Sequence, residues 1–167
     1  MRLETNRLYI RRLHITDWQA MKEIFTDFNQ SKYAAYDMPL PTEDEEAKAL
    51  TQRFADSNSF FAIFLKETSD MLGYVCFHKD GDRYDLGYCF HSAHHSKGYA
   101  YESIRALIDF WVSDHGAVHF TAGTALENAP SCKLLDKLGF TCVSTETVSF
   151  DNVFSFQAGI FVLNASH

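Results

Sequence analysis

No stretch of this sequence carries an apolar run long enough to span a bilayer. Its start, MRLETNRLYIRRL, alternates residue types where a signal peptide would have an unbroken apolar core. A cytoplasmic protein with no membrane partner is expected. The four cysteines, Cys76, Cys89, Cys132 and Cys142, include no CxxC pair, and three lie in apolar segments. Reduced packing thiols are the expected reading, with a nucleophile as the alternative. Basic residues are scarce: 15 Lys and Arg stand against 22 Asp and Glu, a net charge of −7. That excludes sequence-independent nucleic-acid binding, which needs a basic footprint to release counterions, and it favours cationic partners such as amines. Internal repeats, linkers and disorder signals are also missing, so residues 1–167 are expected to form a single domain. What is abundant is apolar surface: 46% of the residues are hydrophobic and 15% aromatic, enough for one sizeable core.

Residues 7–13 (RLYIRRL) alternate like a half-buried strand. Thr16 with Gln19 predicts a capping box opening a helix through Phe28, its apolar face including Ala20, Ile24 and Phe28. After the connection SKYAAYDMPLP, Thr42 with Glu45 predicts a second capping box, with the acidic run 43–46 in the first turn, where the helix dipole favours it. Residues 59–66, 71–78 and 83–90 are aromatic and aliphatic runs separated by turn-rich ETSD and KDGD, and they read as an antiparallel meander. Residues 99–115 place Ala100, Ile104, Leu107, Ile108 and Trp111 on one face, opposite Glu102, Arg105 and Asp109, which predicts a long amphipathic helix. A strand over 118–122, a helix from Asn128 with Pro130 in its first turn and Gly139 as its stop, and strands over 140–149 and 153–163 complete the chain. The order predicts an α+β fold: a central mixed, mostly antiparallel sheet of about seven strands flanked by four or so helices.

The segment HHSKGYA lies where the third meander strand gives way to the long helix. A strand running through a glycine-containing loop into a helix N-terminus aims several unpaired N–H groups at one place, an arrangement suited to phosphate. Gly98 allows close backbone approach and Lys97 adds positive charge. Neither GxxxxGK[ST] nor a GxGxxG after this strand occurs, so the common mononucleotide loops are excluded.

The longer segments DLGYCFHSAHHSKGYAYESIRALIDFW and ENAPSCKLLDKLGF resemble the GNAT superfamily of acetyl-CoA-dependent N-acetyltransferases. LETNRLYIRRLHITD is similar to the start of its ribosomal-protein alanine N-acetyltransferase-like branch, so the resemblance runs from Leu3 to about residue 143. It implies that the backbone amides of His95, Ser96, Lys97, Gly98, Tyr99, Ala100 and Tyr101 bind the pyrophosphate of coenzyme A, and that the strand ending at Phe90 pairs with the pantetheine arm. The family's loop pattern, a Gln or Arg followed by Gly and then Gly or Ala, falls on His95, Gly98 and Ala100. His95 departs from it, and Ser96 stands where the branch often has Gly. Asn128 matches an Asn that bonds pantetheine, and it is also a good helix N-cap. Many relatives carry, seven residues later, a Tyr that protonates the departing thiolate; here Leu135 stands there. The branch tends to offer Ser131 instead, whose other reading is a good local fit to a first helical turn.

The implied reaction is direct attack of a primary amine, a protein N-terminus or a small amine, on the thioester of acetyl-CoA, with no metal. The amine must lose a proton to a base. Asp85 is the first candidate, or else a hairpin-edge carboxylate; His119, Glu4 and Glu146 remain open. The oxyanion would find backbone N–H donors where the strand ends splay around Phe90. Tyr33, Tyr36 and Met38 match the family's acceptor-facing loop in position, and otherwise form a satellite cluster. Tyr74 and His78 share that ambiguity. Pairing through terminal strands, common in the family, allows a homodimer. Two rivals remain: a non-catalytic acyl-CoA sensor on the same fold, and metal binding by His91, His94 and His95, for which no recognised ligand spacing is complete.

Overall fold

Runs rich in aromatic and β-branched residues form the strands, and segments closed by Asn or Gly form the helices. The computed structural model describes residues 1–166, in the order β1 (Arg2–Glu4), β2 (Leu8–Arg12), α1 (Trp18–Asn29), α2 (Asp44–Asp56), β3 (Phe60–Leu65), β4 (Met71–Asp80), β5 (Arg83–Phe90), α3 (Tyr99–His115), β6 (His119–Ala125), α4 (Ala129–Leu138), β7 (Thr141–Ser149) and β8 (Ser155–Asn164). The sheet has eight strands in the order β1-β2-β3-β4-β5-β6-β8-β7, one more than expected. The addition is β1, a three-residue strand paired antiparallel to β2 and too short to show a period of its own.

Helix starts differ from the expectation. Thr16 does not cap α1; instead the Asp17 carboxylate accepts the His14 N–H at 2.9 Å and is gripped by both terminal nitrogens of Arg11 at 2.8 Å. The buried face of α1 is accordingly Met21, Ile24 and Phe25, while Ala20 and Phe28 are half-buried. Burying three such side chains contributes roughly 1.5–3 kcal/mol each. Nor does Thr42 cap α2: Glu43 holds that position without a side-chain bond, and Asp44, Glu45 and Glu46 occupy the first turn. The later helices follow their local signals. Both α3 and α4 end on a left-handed glycine, Gly116 at φ 66° and Gly139 at φ 97°.

Strand alternation sorts the apolar residues into two cores. Leu8, Ile10, Phe61, Ile63, Val75, Phe77, Tyr84 and Leu86 meet Ile104, Leu107 and Ile108 of α3 and Leu135 and Leu138 of α4. Phe60, Ala62, Phe64, Tyr74 and Cys76 meet Met21, Ile24 and Phe25 of α1 and Ala47 of α2. All neighbouring strands are antiparallel except β5 and β6. That parallel pairing runs from Arg83↔His119 to Leu86↔Ala122 and then stops, although β5 continues to Phe90 and β6 to Ala125. The two strands part at the centre of the sheet, and the loop to α3 begins at the mouth of the gap.

Candidate active site

Beyond His95, the loop between β5 and α3 leaves its backbone N–H groups without protein acceptors among the described residues. Ser96 at φ 61° and Gly98 at φ 82° are both left-handed, and α3 has no side-chain cap. Alternating left-handed residues curl successive amides toward one side, making a concavity for an anion. From Ser96 to Tyr101, no N–H group meets a protein acceptor among the described residues. The His95 N–H, by contrast, donates to Ser92 C=O at 3.2 Å. The left-handed φ at Ser96 explains why a glycine would suit that position.

Two straps hold this loop. Arg7 donates from Nη1 to the Lys97 carbonyl at 2.8 Å and from Nε to Glu102 Oε2 at 2.7 Å, and its guanidinium lies 4.5 Å from the Tyr99 ring centroid. Glu102, in the first turn of α3, also accepts the Thr5 hydroxyl at 2.6 Å and the Arg7 N–H at 2.9 Å. Burial alone would raise this carboxyl; the bonds from Thr5 and Arg7 and the guanidinium charge more than offset it and hold it below the usual range. On the other side, Asp27 of α1 accepts the Ser92 N–H at 2.9 Å and its hydroxyl at 2.5 Å. Burial again raises and hydrogen bonding again lowers, leaving the Asp27 carboxyl below its ordinary value.

Along the gap, the His91 N–H donates to Leu72 on β4. By alternation, the backbone groups of Phe90 and Tyr88 turn toward the gap. The Phe90 carbonyl there accepts His95 Nε2–H at 2.7 Å. Across the gap, Asn128 caps α4: its Oδ1 accepts the Ser131 N–H at 3.3 Å. Ser131 Oγ is hydrogen-bonded to the hydroxyl of Tyr88, a residue singled out by no motif. Burial pushes the Tyr88 phenol up to about 12, with the Ser131 bond pulling the other way.

At the far end of β6, four segments meet. The Tyr36 hydroxyl donates to Glu127 Oε2 at 2.7 Å, and its ring sits 5.0 Å from Phe156 and 5.9 Å from Phe154. The bond to Glu127 holds the Tyr36 phenol above its usual range. Met38, Leu126, Phe150, Val153 and Phe154 leave apolar surface exposed here.

An acetyltransferase (GNAT) domain profile matches residues 7–141. The chain belongs to the GNAT acetyltransferase family. It is 29% identical over 142 residues to the uncharacterized N-acetyltransferase YnaD of Bacillus subtilis (strain 168), covering 83% of this chain and 82% of the relative. Two solved structures share the GNAT fold. The ribosomal-protein-S5-alanine acetyltransferase of Vibrio fischeri superposes with a TM-score of 0.83 at 17% identity, over 98% of this chain and 97% of the other. RimL, the ribosomal L7/L12 α-N-protein acetyltransferase, in complex with coenzyme A, gives 0.87 at 15% identity, over 98% of both chains. The protein is thus an acyltransferase of the GNAT type, with the β5–β6 gap at its centre.

Within this GNAT fold, the remaining sequence candidates fall in several places. Phe90, Ser96 to Tyr101, Asn128 and Ser131 gather around the gap and its mouth, and Tyr36 lies past the end of β6, across the open gap from the end of β5. Tyr33 is half-buried in the same connection, with Lys32 Nζ 5.2 Å from its ring centroid. Asp85 lies in the closed part of the β5–β6 pair, where its Oδ1 accepts the Thr121 hydroxyl at 2.8 Å, and alternation puts it on the sheet face opposite Tyr88. His119 pairs with Asn164 at 2.8 Å at the start of β6. Glu4 joins Arg2 and Lys66 beside β1, and Glu146 is exposed on edge strand β7. Tyr74 is core, and His78 sits exposed against Phe60. Of the three loop histidines, His91 and His94 have ring centroids 6.2 Å apart, with His91 Nδ1 accepting the Ala93 N–H, while His95 turns to Phe90. Among the described residues, no group of three or more His, Cys, Asp or Glu could hold a metal.

Sequence reasoning missed Tyr88, Glu127, Asp27 and the Arg7–Glu102 pair as site residues. Only Glu127 had a local signal, its place directly before Asn128 in ENAPS.

Proposed function

We propose that this chain moves an acetyl group from acetyl-CoA to a primary amine, a protein N-terminus or a small amine, by direct attack within a ternary complex. The observation that carries this reading is the gap beyond Leu86↔Ala122 with unpartnered amides from Ser96 to Tyr101 at its mouth. A pyrophosphate fits such an amide row, and an extended arm of alternating amides fits the gap-facing backbone of Tyr88 and the Phe90 N–H, the Phe90 carbonyl being bonded to His95. Lys97 adds charge at the loop, and the Asn128 side chain faces the arm from α4.

The acceptor would approach from the Tyr36, Glu127, Phe154 and Phe156 cluster. Aromatic faces and a carboxylate suit an ammonium carried on an apolar body, and the net charge of −7 favours its arrival. Glu127 is favoured over Asp85 as the carboxylate that faces the incoming ammonium, because it stands where β6 opens and Asp85 is bound to Thr121 in the closed part. The attacked carbonyl develops negative charge beside the gap-facing N–H groups of β5. Ser131 is the acid for the departing thiolate.

The test is release of free coenzyme A from acetyl-CoA in the presence of polyamines, aminoglycosides, amino acids and peptides beginning with Ala or Ser. Turnover on one amine class is expected. Tight binding of acetyl-CoA without turnover on any of them would point to the acyl-CoA sensor, and no binding would remove both readings.

A further inference from the structure

We infer that Tyr88 supplies, from the sheet, the hydroxyl that Leu135 withholds from α4, and that it acts as the proton donor behind Ser131 for the departing thiolate. The inference rests on the acetyl-transfer reading and extends it to a residue outside the family's pattern.

Three observations converge. Position 135, where the GNAT resemblance implies an acid tyrosine, is a fully buried leucine packed into the α3–α4 core. Tyr88 sits two residues past the last β5–β6 pair, on the strand segment that borders the gap, and its side chain points to the same face of the sheet as α4. Its hydroxyl is bonded to Ser131 Oγ, one turn before Leu135 and three residues after Asn128. The two hydroxyls therefore form a chain from the core to the first turn of α4. Alone, a serine hydroxyl is a poor acid; backed by a second hydroxyl, it passes a proton on without becoming an alkoxide.

The step balances as follows. The amine nitrogen bonds to the acetyl carbon and loses a proton to the base. The carbon–sulfur bond breaks, and sulfur keeps its electron pair. Ser131 gives its proton to sulfur and takes the proton of Tyr88, whose oxygen is left as phenolate. As products leave, solvent returns a proton to Tyr88 and accepts the one held by the base. Burial holds the Tyr88 phenol at about 12, so it keeps its proton at neutral pH. The same dry surroundings raise the basicity of an expelled thiolate, so the proton moves between groups under the same penalty.

Tyr88→Phe keeps the ring and removes the hydroxyl. With the best amine from the thiol-release panel, kcat is expected to fall about a hundredfold, the scale of general acid catalysis. The dissociation constant for acetyl-CoA and the melting temperature should stay close to wild type. Ser131→Ala should show a similar loss, and the double variant should be no worse than the poorer single, because the two act as one relay. Independently of turnover, the ring-carbon NMR signal of Tyr88, labelled with 13C and identified by its loss in Tyr88→Phe, should shift when coenzyme A binds. An unchanged kcat in Tyr88→Phe, losses that multiply in the double variant, a weakened acetyl-CoA affinity matching the kcat loss, or a Tyr88 signal blind to coenzyme A would each overturn the inference. Absence of wild-type turnover on every amine would instead sink the acetyl-transfer reading, and this inference with it.

Discussion

The two strand ends that border the open β5–β6 gap are built differently. At the loop end, polar and charged side chains from distant parts of the chain hold the loop: Arg7 and Thr5 hold the Glu102 carboxylate, Arg7 holds the Lys97 carbonyl, and Asp27 holds the Ser92 N–H. At the cluster end, one hydrogen bond and a set of loosely tilted rings connect Tyr36, Glu127, Phe154 and Phe156, with Val153 91% exposed beside them. The first arrangement is suited to a ligand that never changes, because fixed amides cost no reorganisation when an anion arrives. The second can re-pack around different bodies. A coenzyme grip and an acceptor mouth call for that contrast, and substitutions at each end should separate coenzyme affinity from amine affinity.

The largest effect is expected at Gly98. Its φ of 82° is unfavourable for any side chain, and an added Cβ would stand 3.3 Å from Arg7 Nη2. The left-handed conformation costs an L-residue about 1–2 kcal/mol, and a β-branched one more. Gly98→Val should weaken acetyl-CoA binding more than tenfold by calorimetric titration, with the amine KM unchanged. Unaltered coenzyme affinity would mean that the loop is not where the pyrophosphate binds.

Removing Arg7 should come next. In Arg7→Ala the Lys97 carbonyl loses its donor, and the Glu102 carboxylate, its side chain only 19% exposed, is left without a cation beside the helix end that should receive an anion. The expected result is about a tenfold rise in the acetyl-CoA dissociation constant, equivalent to about 1.4 kcal/mol, with little change in kcat. Adding Glu102→Ala should recover part of the loss, because it removes the repelling charge along with its lost partner. If the double variant binds no better than the single, Arg7 acts through packing on Tyr99 alone.

These straps also mark what could be read from the chain. The meander strands, α3 and α4 were legible because their signals are local: apolar runs between turns, a 3.6-residue stripe, an Asn cap and a Gly stop. The loop was legible for the same reason, and even its departure at Ser96 has a conformational explanation in that residue's positive φ. Periodicity put Glu102 on a polar face, correctly for its angle on the helix. It could not show that Arg7, 95 residues earlier, covers that face. Asp27 with Ser92, Tyr88 with Ser131 and Tyr36 with Glu127 are likewise separated by 65, 43 and 91 residues. Such pairs exist only once the sheet order is set. The helix starts failed for a narrower reason: a Thr-x-x-Glu or Thr-x-x-Gln pattern is permissive, and at α1 the tertiary pull of Arg11 on Asp17 won.

The smallest effect belongs to the cluster end, and it is the sharper probe of the contrast. Glu127→Gln keeps the size and the acceptor oxygen for Tyr36 and removes only the charge. Exposed charges in water contribute little, so the amine KM should rise about two- to fivefold, and more at low than at high salt. Acetyl-CoA affinity should not move. Tyr36→Phe should raise the amine KM by less, because the ring contacts with Phe154 and Phe156 survive it. A salt-independent Glu127→Gln would leave only its apolar neighbours to select the acceptor. A loss in kcat of a hundredfold or more would make the carboxylate the base itself, since charge steering alone leaves the chemical step untouched.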